Sequence, residues 1–126
     1  MNRNIVVIEK DDSILDALTI ILTNQGFNVK SSMSDEDALQ TILNVKPCCT
    51  LIDIVRVSQD GTGLCRQLRK ANATVPIIAL STQADAVTLK GIWADEVLLK
   101  PFDIDELIAA VEKQVHLFND KQMLVV

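Results

Sequence analysis

A doubly wound α/β fold, with helices on both faces of a five-stranded parallel sheet, is what this 126-residue sequence predicts from three observations. Short aliphatic, β-branched runs alternate five times with segments whose apolar residues recur at helical spacing. The runs are apolar on both faces, as strands covered by two helical layers must be. Gly, Pro, Asp and Ser punctuate the joints between them.

The first strand is Ile5-Val6-Val7-Ile8. Asp11-Asp12-Ser13 then lead into Ile14, Leu15, Leu18, Ile21 and Leu22, which share one helical face. Gly26 stands where a left-handed residue ends that helix, and Phe27-Asn28-Val29 reads as a short second strand. Ser34, with Glu36 and Asp37 in the first turn, opens a second helix bearing Ala38, Leu39, Ile42 and Leu43, and Pro47 stops it. Cys49-Thr50-Leu51-Ile52 forms the third strand. Gly61-Thr62-Gly63 is a loop before a helix with Leu64, Cys65 and Leu68, and Pro76 heads the fourth strand, Ile77-Ile78-Ala79-Leu80. A short helix is expected over 84–90, and a fifth strand over 96–99. Beyond Pro101, Asp103 caps a last helix carrying Ile104, Leu107, Ile108, Val111 and Val115.

Composition narrows the function classes. Seventeen acidic against twelve basic residues give a charge of -5, which argues against nucleic acid or an anionic membrane as the main partner. Cys48, Cys49 and Cys65 are odd in number and lack a C-x-x-C spacing, as suits a reduced, cytoplasmic setting. The N-terminal apolar stretch is too short for a signal peptide core, and no run is long enough for a membrane helix. The size fits one domain, expected over 1–118, with 119–126 as a tail or linker that ends in an apolar run.

In a parallel sheet of this kind the functional crevice lies at the carboxyl ends of the strands. Glu9 and Lys10 follow strand one, Asp53 ends strand three, Ser81 and Thr82 follow strand four, and Lys100-Pro101 follows strand five. Two carboxylates, hydroxyls and ammonium groups therefore converge. No His lies near a Ser or Cys, so nucleophile-plus-imidazole chemistry has no base, and His116 reads as a surface residue. Gly61-Thr62-Gly63 lacks the third glycine of a dinucleotide fingerprint.

The order of these blocks, with Leu-Ile-Asp-Ile at strand three, Pro-Ile-Ile-Ala-Leu-Ser at strand four and Lys-Pro-Phe-Asp after strand five, resembles the receiver domain of bacterial two-component response regulators. The resemblance spans essentially the whole chain. It implies a flavodoxin-like sheet of order 2-1-3-4-5 with five helices. Asp53 then matches the carboxylate that accepts a phosphoryl group from a histidine kinase or a histidine phosphotransfer protein. Lys100 matches the lysine that neutralises the phosphoryl oxygens, and Ser81, with Thr82 beside it, matches the hydroxyl that hydrogen-bonds the acyl phosphate. Mg²⁺ is the implied cofactor, held by Glu9, Asp53 and the Val55 backbone carbonyl. Output would pass through protein contacts, from a stand-alone receiver or from a fragment of a longer protein, and homodimers are a further expectation.

Two departures bear on that reading. Lys10 occupies the second acidic position of the family, and lysine has donors but no acceptor, so it cannot coordinate Mg²⁺. Neighbouring strands one and three would bring its ammonium within reach of Asp53. Asp11 could compensate by swinging inward, although capping preference makes it the N-cap of the first helix. Val97 stands where the family usually carries an aromatic that changes rotamer with the hydroxyl. A degenerate receiver that binds partners without phosphorylation is the alternative. A small phosphatase using Asp53 as nucleophile is disfavoured, because Val55 replaces the general acid such enzymes place two residues on. Trp93 reads as an anchor against the short helix, with partner binding as the other reading.

Overall fold

The computed structural model describes residues 2–32, 35–54, 63–71 and 74–123. Five parallel strands, β1 (Asn4–Ile8), β2 (Asn28–Ser32), β3 (Cys49–Asp53), β4 (Ile77–Ser81) and β5 (Glu96–Leu99), form one sheet in the order β2-β1-β3-β4-β5. The helices are α1 (Asp12–Asn24), α2 (Asp35–Val45), α3 (Gly63–Lys70), a short 3₁₀ helix (Ala84–Leu89) and α4 (Ile104–Met123). This is the expected doubly wound, flavodoxin-like arrangement, with one of its five helices tightened to 3₁₀.

Strand alternation divides the interior into two layers. Ile5 and Val7 of β1, Cys49 and Leu51 of β3, and Ile78 and Leu80 of β4 meet Leu18 and Leu22 of α1 and Leu107, Val111 and Val115 of α4. Val6, Ile8, Ile52, Ile77 and Ala79 point the other way, onto Ala38 and Ile42 of α2, Leu64 and Leu68 of α3, and Ala86 and Leu89 of the 3₁₀ helix. Trp93 and Val97 are half-buried against this second layer. Trp93 also lies under the Arg66 guanidinium, 5.6 Å from its ring centre, which favours the anchor reading of that residue.

Helix termini follow the sequence signals. Asp11 caps α1 by accepting the Ile14 N–H at 3.0 Å, and Asp103 accepts the Glu106 N–H at 2.7 Å. At the other end of α1, Gly26 N–H bonds the Thr23 carbonyl and Phe27 N–H the Leu22 carbonyl, the paired closure of a Schellman motif. Gly26 takes φ +87°, as that closure requires. Phe27 is therefore part of the helix stop rather than of β2, which begins one residue later and runs through polar Lys30, Ser31 and Ser32. An edge strand with solvent on one side carries too few apolar residues to announce its length.

Helix α2 ends at Val45, followed by Lys46 at φ 52° and Pro47. Ser34, expected to open α2, lies outside the described residues, as do Gly61 and Thr62. The Lys100–Pro101 peptide is cis. Helix α4 does not stop at 118 but continues to Met123, and Asn119 is buried, donating to the Asn2 carbonyl at 3.5 Å. The first part of the stretch expected to be a tail is thus helix, because Val115, Phe118 and Asn119 extend the inward-facing stripe. Among the described residues no helix is long and apolar enough to cross a membrane.

Candidate functional site

Glu9, Asp53 and Lys100 share the strand parity of the first layer, continuing Ile5-Val7, Cys49-Leu51 and Leu98. The β1–β3 register, Ile8 opposite Ile52, sets the next pair, Glu9 and Asp53, side by side at the carboxyl edge. Lys100 comes from the far side of β4, and its four-carbon stem spans that strand. Its Nζ donates to both Glu9 carboxylate oxygens at 3.2 Å and to Asp53 Oδ1 at 2.9 Å. The side chains are 1% (Glu9), 13% (Asp53) and 15% (Lys100) exposed, so Asp53 is the carboxylate open to a reactant and Glu9 the one enclosed.

Burial and the Asp53 charge raise the Glu9 pKa, against the lowering effects of Lys100 and a hydrogen bond from the Asp11 N–H. For Lys100, burial alone would lower the pKa. The hydrogen bond and charge of Asp53, together with those of Glu9, outweigh burial and raise it. The result is a fixed ammonium shared by two carboxylates.

Ser81 is fully buried at the end of β4. Its hydroxyl donates to the Ile54 carbonyl at 2.7 Å and accepts the Gln83 N–H at 3.0 Å, while its own carbonyl accepts the Lys100 N–H at 2.7 Å. Ser81 shares the parity of Ile77 and Ala79, opposite to that of Asp53, so it meets the chain just after Asp53 rather than the carboxylate itself. The Ile54 carbonyl escaped the sequence reading, since every residue carries one and no side chain signals its use. Thr82 is exposed beside Ser81.

The family model for the response regulator receiver domain matches residues 5–112. The chain belongs to that family. It is 32% identical over 124 residues to the DNA-binding response regulator MtrA of Mycolicibacterium paratuberculosis, across 96% of this chain and 55% of that protein. The chain thus spans about half the length of that curated relative. The Francisella response regulator 1452 receiver domain is 27% identical with a TM-score of 0.83, covering 91% of this chain and 98% of that one. The signal receiver domain of a LuxO repressor protein from Vibrio parahaemolyticus shares the fold, with a TM-score of 0.89 at 17% identity, over 100% and 99% of the two chains.

Receiver domains generally bind Mg²⁺, and the donor set of this one departs from that pattern. Among the described residues no group of three or more His, Cys, Asp or Glu side chains is arranged to hold a metal ion. Glu9 and Asp53 are the two carboxylates at hand, and the Lys100 ammonium already joins them. Asp11 engages its carboxylate at the α1 N terminus, and Val55 lies outside the described residues. Among the described residues Glu9 and Asp53 would be the two carboxylates to hold a Mg²⁺, with the Lys100 ammonium between them.

Lys10 is placed differently from the expectation. It is exposed and makes no ion pair with any described residue, Asp53 included. One step along an extended chain reverses the side-chain direction, so the position after an inward Glu9 faces out. Val97 packs into the second layer, and no ring occupies its place. The cysteines are interior: Cys48, Cys49 and Cys65 are buried, and burial pushes the Cys48 thiol up to about 11. His116 is on the surface, 3.2 Å from Asp120 one helical turn on.

Proposed function

We propose that this receiver accepts a phosphoryl group on Asp53 from a phosphohistidine of a sensor kinase or phosphotransfer protein. The observation that carries the reading is the Lys100 ammonium 2.9 Å from Asp53 Oδ1, with the Asp53 side chain still 13% exposed at the carboxyl edge. Oδ2 has no hydrogen-bond partner among the described residues, and it is the oxygen left to attack. It forms the O–P bond as the N–P bond of the phosphohistidine breaks, and the imidazole leaves with the electron pair and takes up a proton. Lys100 offsets the charge carried by the transferred oxygens.

Ser81, with Thr82 beside it, is the hydroxyl assigned to the acyl phosphate. To do so it must exchange its bond to the Ile54 carbonyl for one to a phosphoryl oxygen. The output is a protein contact in a cytoplasmic relay, and the domain is a signalling module rather than an enzyme with turnover.

Intact-mass analysis after exposure to a small-molecule phosphodonor, with and without Mg²⁺, tests this. The wild type should gain one phosphoryl group, and Asp53→Asn none. An unmodified wild type that becomes modifiable as Lys10→Asp would instead make the native chain a phosphorylation-independent binding module.

A further inference from the structure

We infer that the turn before β5, together with the outer face of α3, docks an acidic amphipathic helix of a partner protein, with a carboxylate on Arg66 and an apolar side chain on Ile92 and Trp93. The surface goes beyond phosphoryl transfer to Asp53 and does not depend on it.

The turn is built to display side chains. The Leu89 carbonyl accepts the N–H groups of Ile92, Trp93 and Ala94 at 3.1, 3.0 and 3.1 Å, and the Gly91 N–H donates to the Ala94 carbonyl at 2.7 Å. Gly91 takes φ +83° to allow this closure. Leu89 and Ala94 are buried beneath it, yet Ile92 stands 65% exposed and Trp93 is half-buried. A closed backbone thus holds a large apolar side chain in solvent, and a partner that covers it has little ordering left to impose. Val87, in the same stretch, is 53% exposed. Anchoring in the second layer accounts for the inner side of Trp93 and not for the exposure of Ile92.

Arg66 supplies the charge. Its guanidinium carbon lies 5.6 Å from the centre of the Trp93 ring. A guanidinium set over a ring uses its flat face there and keeps its N–H edge for a planar acceptor, which suits a carboxylate. Arg and Trp are also the residue types that dominate the energetics of protein interfaces. The exposed Lys70 follows one helical turn after Arg66, and α3 carries no acidic residue. Of the charges close by, Lys90 is paired with Glu96 at 3.0 Å and Asp95 with Arg69 at 2.9 Å. This local positive face belongs to a chain of net charge -5. A nucleic acid would meet that overall repulsion and offer Ile92 no apolar side chain, whereas an acidic helix with an apolar stripe matches both features.

Trp93 is the single tryptophan of the chain and therefore reports on this surface directly. A short, tryptophan-free synthetic helix with leucine on one face and glutamate on the other, titrated into the unphosphorylated protein at physiological salt, should change Trp93 fluorescence saturably with a sub-millimolar Kd. Arg66→Glu and Ile92→Ser should each weaken binding about tenfold. Both residues are exposed, and circular dichroism checks that the variants fold. Should the charge reversal disturb the fold, Ile92→Ser carries the test.

No saturable change in the wild type would overturn the inference, as would an equal response to the same helix with lysine in place of glutamate. Unweakened binding by folded variants, or a single-stranded oligonucleotide that binds in the peptide's place, would do the same. Self-association that depends on Arg66, seen by sedimentation without any response to the peptide, would assign the surface to a second copy of this chain instead. The titration contains no phosphodonor, so failure of Asp53 to be modified in the mass experiment leaves its outcome untouched.

Discussion

The Ser81 hydroxyl donates to the Ile54 carbonyl at 2.7 Å, joining the end of β4 to the residue that follows Asp53. The Ile54 N–H meanwhile donates to the Leu80 carbonyl at 2.7 Å, so the two chain segments are closed by reciprocal bonds across the residue pair. In the reaction proposed above, Ser81 would have to give up this closure to reach a phosphoryl group.

Removing that hydroxyl should cost stability even without phosphorylation. Ser81→Ala deprives a buried carbonyl of its donor and the Gln83 N–H of its acceptor. The expected loss is about 1–3 kcal/mol. Urea unfolding should show an earlier midpoint with an unchanged slope.

The pH profile should carry the signature of the shared ammonium. Glu9 has a folded pKa above its ordinary 4.5, from burial first and the Asp53 charge second. A raised folded pKa means that the folded state holds the proton more tightly, so this contribution is complete below 4.5 and is lost as pH rises through the folded value. Urea midpoints of the wild type measured against Glu9→Gln should therefore move against the wild type as pH climbs above 4.5. Lys100 is raised above 10.5, because Asp53 and Glu9 outweigh burial. Its contribution is present below 10.5 and disappears as pH rises past the folded value, so the gap between wild type and Lys100→Met should close at the alkaline end.

Two backbone positions should respond with opposite signs. Gly26 sits at φ +87°, and an added Cβ would meet only Arg3 Nη2 at 3.5 Å, so Gly26→Ala carries a conformational cost of about 1 kcal/mol without a clash. Lys46 sits at φ 52° with a side chain, and Lys46→Gly should gain up to about 1 kcal/mol. Thermal melts of the pair should bracket the wild type, and the same sign for both would contradict the backbone account.

Asp95 fastens the opposite edge of the sheet. Its Oδ2 accepts the Ile77 N–H at 2.8 Å and Arg69 Nη2 at 2.9 Å, while Arg69 Nη1 donates to the Val75 carbonyl at 3.0 Å. Asp95→Ala should lose about 1–2 kcal/mol, discounted for the exposure of the ion pair. Asp95→Asn keeps an oxygen for Ile77 and should lose less. Faster hydrogen exchange at the Ile77 amide in the alanine variant alone would locate the effect.

Local pattern made most of this molecule legible in the chain. Apolar runs such as Ile77-Ile78-Ala79-Leu80 announce buried strands because both of their faces are covered, and Asp11, Gly26 and Asp103 mark helix ends because capping is chemistry between near neighbours. The carboxyl-edge residues were legible too, since each follows its strand directly. Extent was less so: β2 and the end of α4 run past their apolar signals, where backbone pairing and a few inward residues sustain them. Tertiary structure alone decided which charges meet. Glu9, Asp53 and Lys100 converge because strand parity and the order β1-β3-β4-β5 aim them together, while Lys10, adjacent in sequence to Glu9, faces solvent. The pairing of Ser81 with the Ile54 carbonyl was likewise invisible, because a main-chain acceptor leaves no mark in an amino-acid sequence and acquires its partner only when β3 and β4 lie side by side.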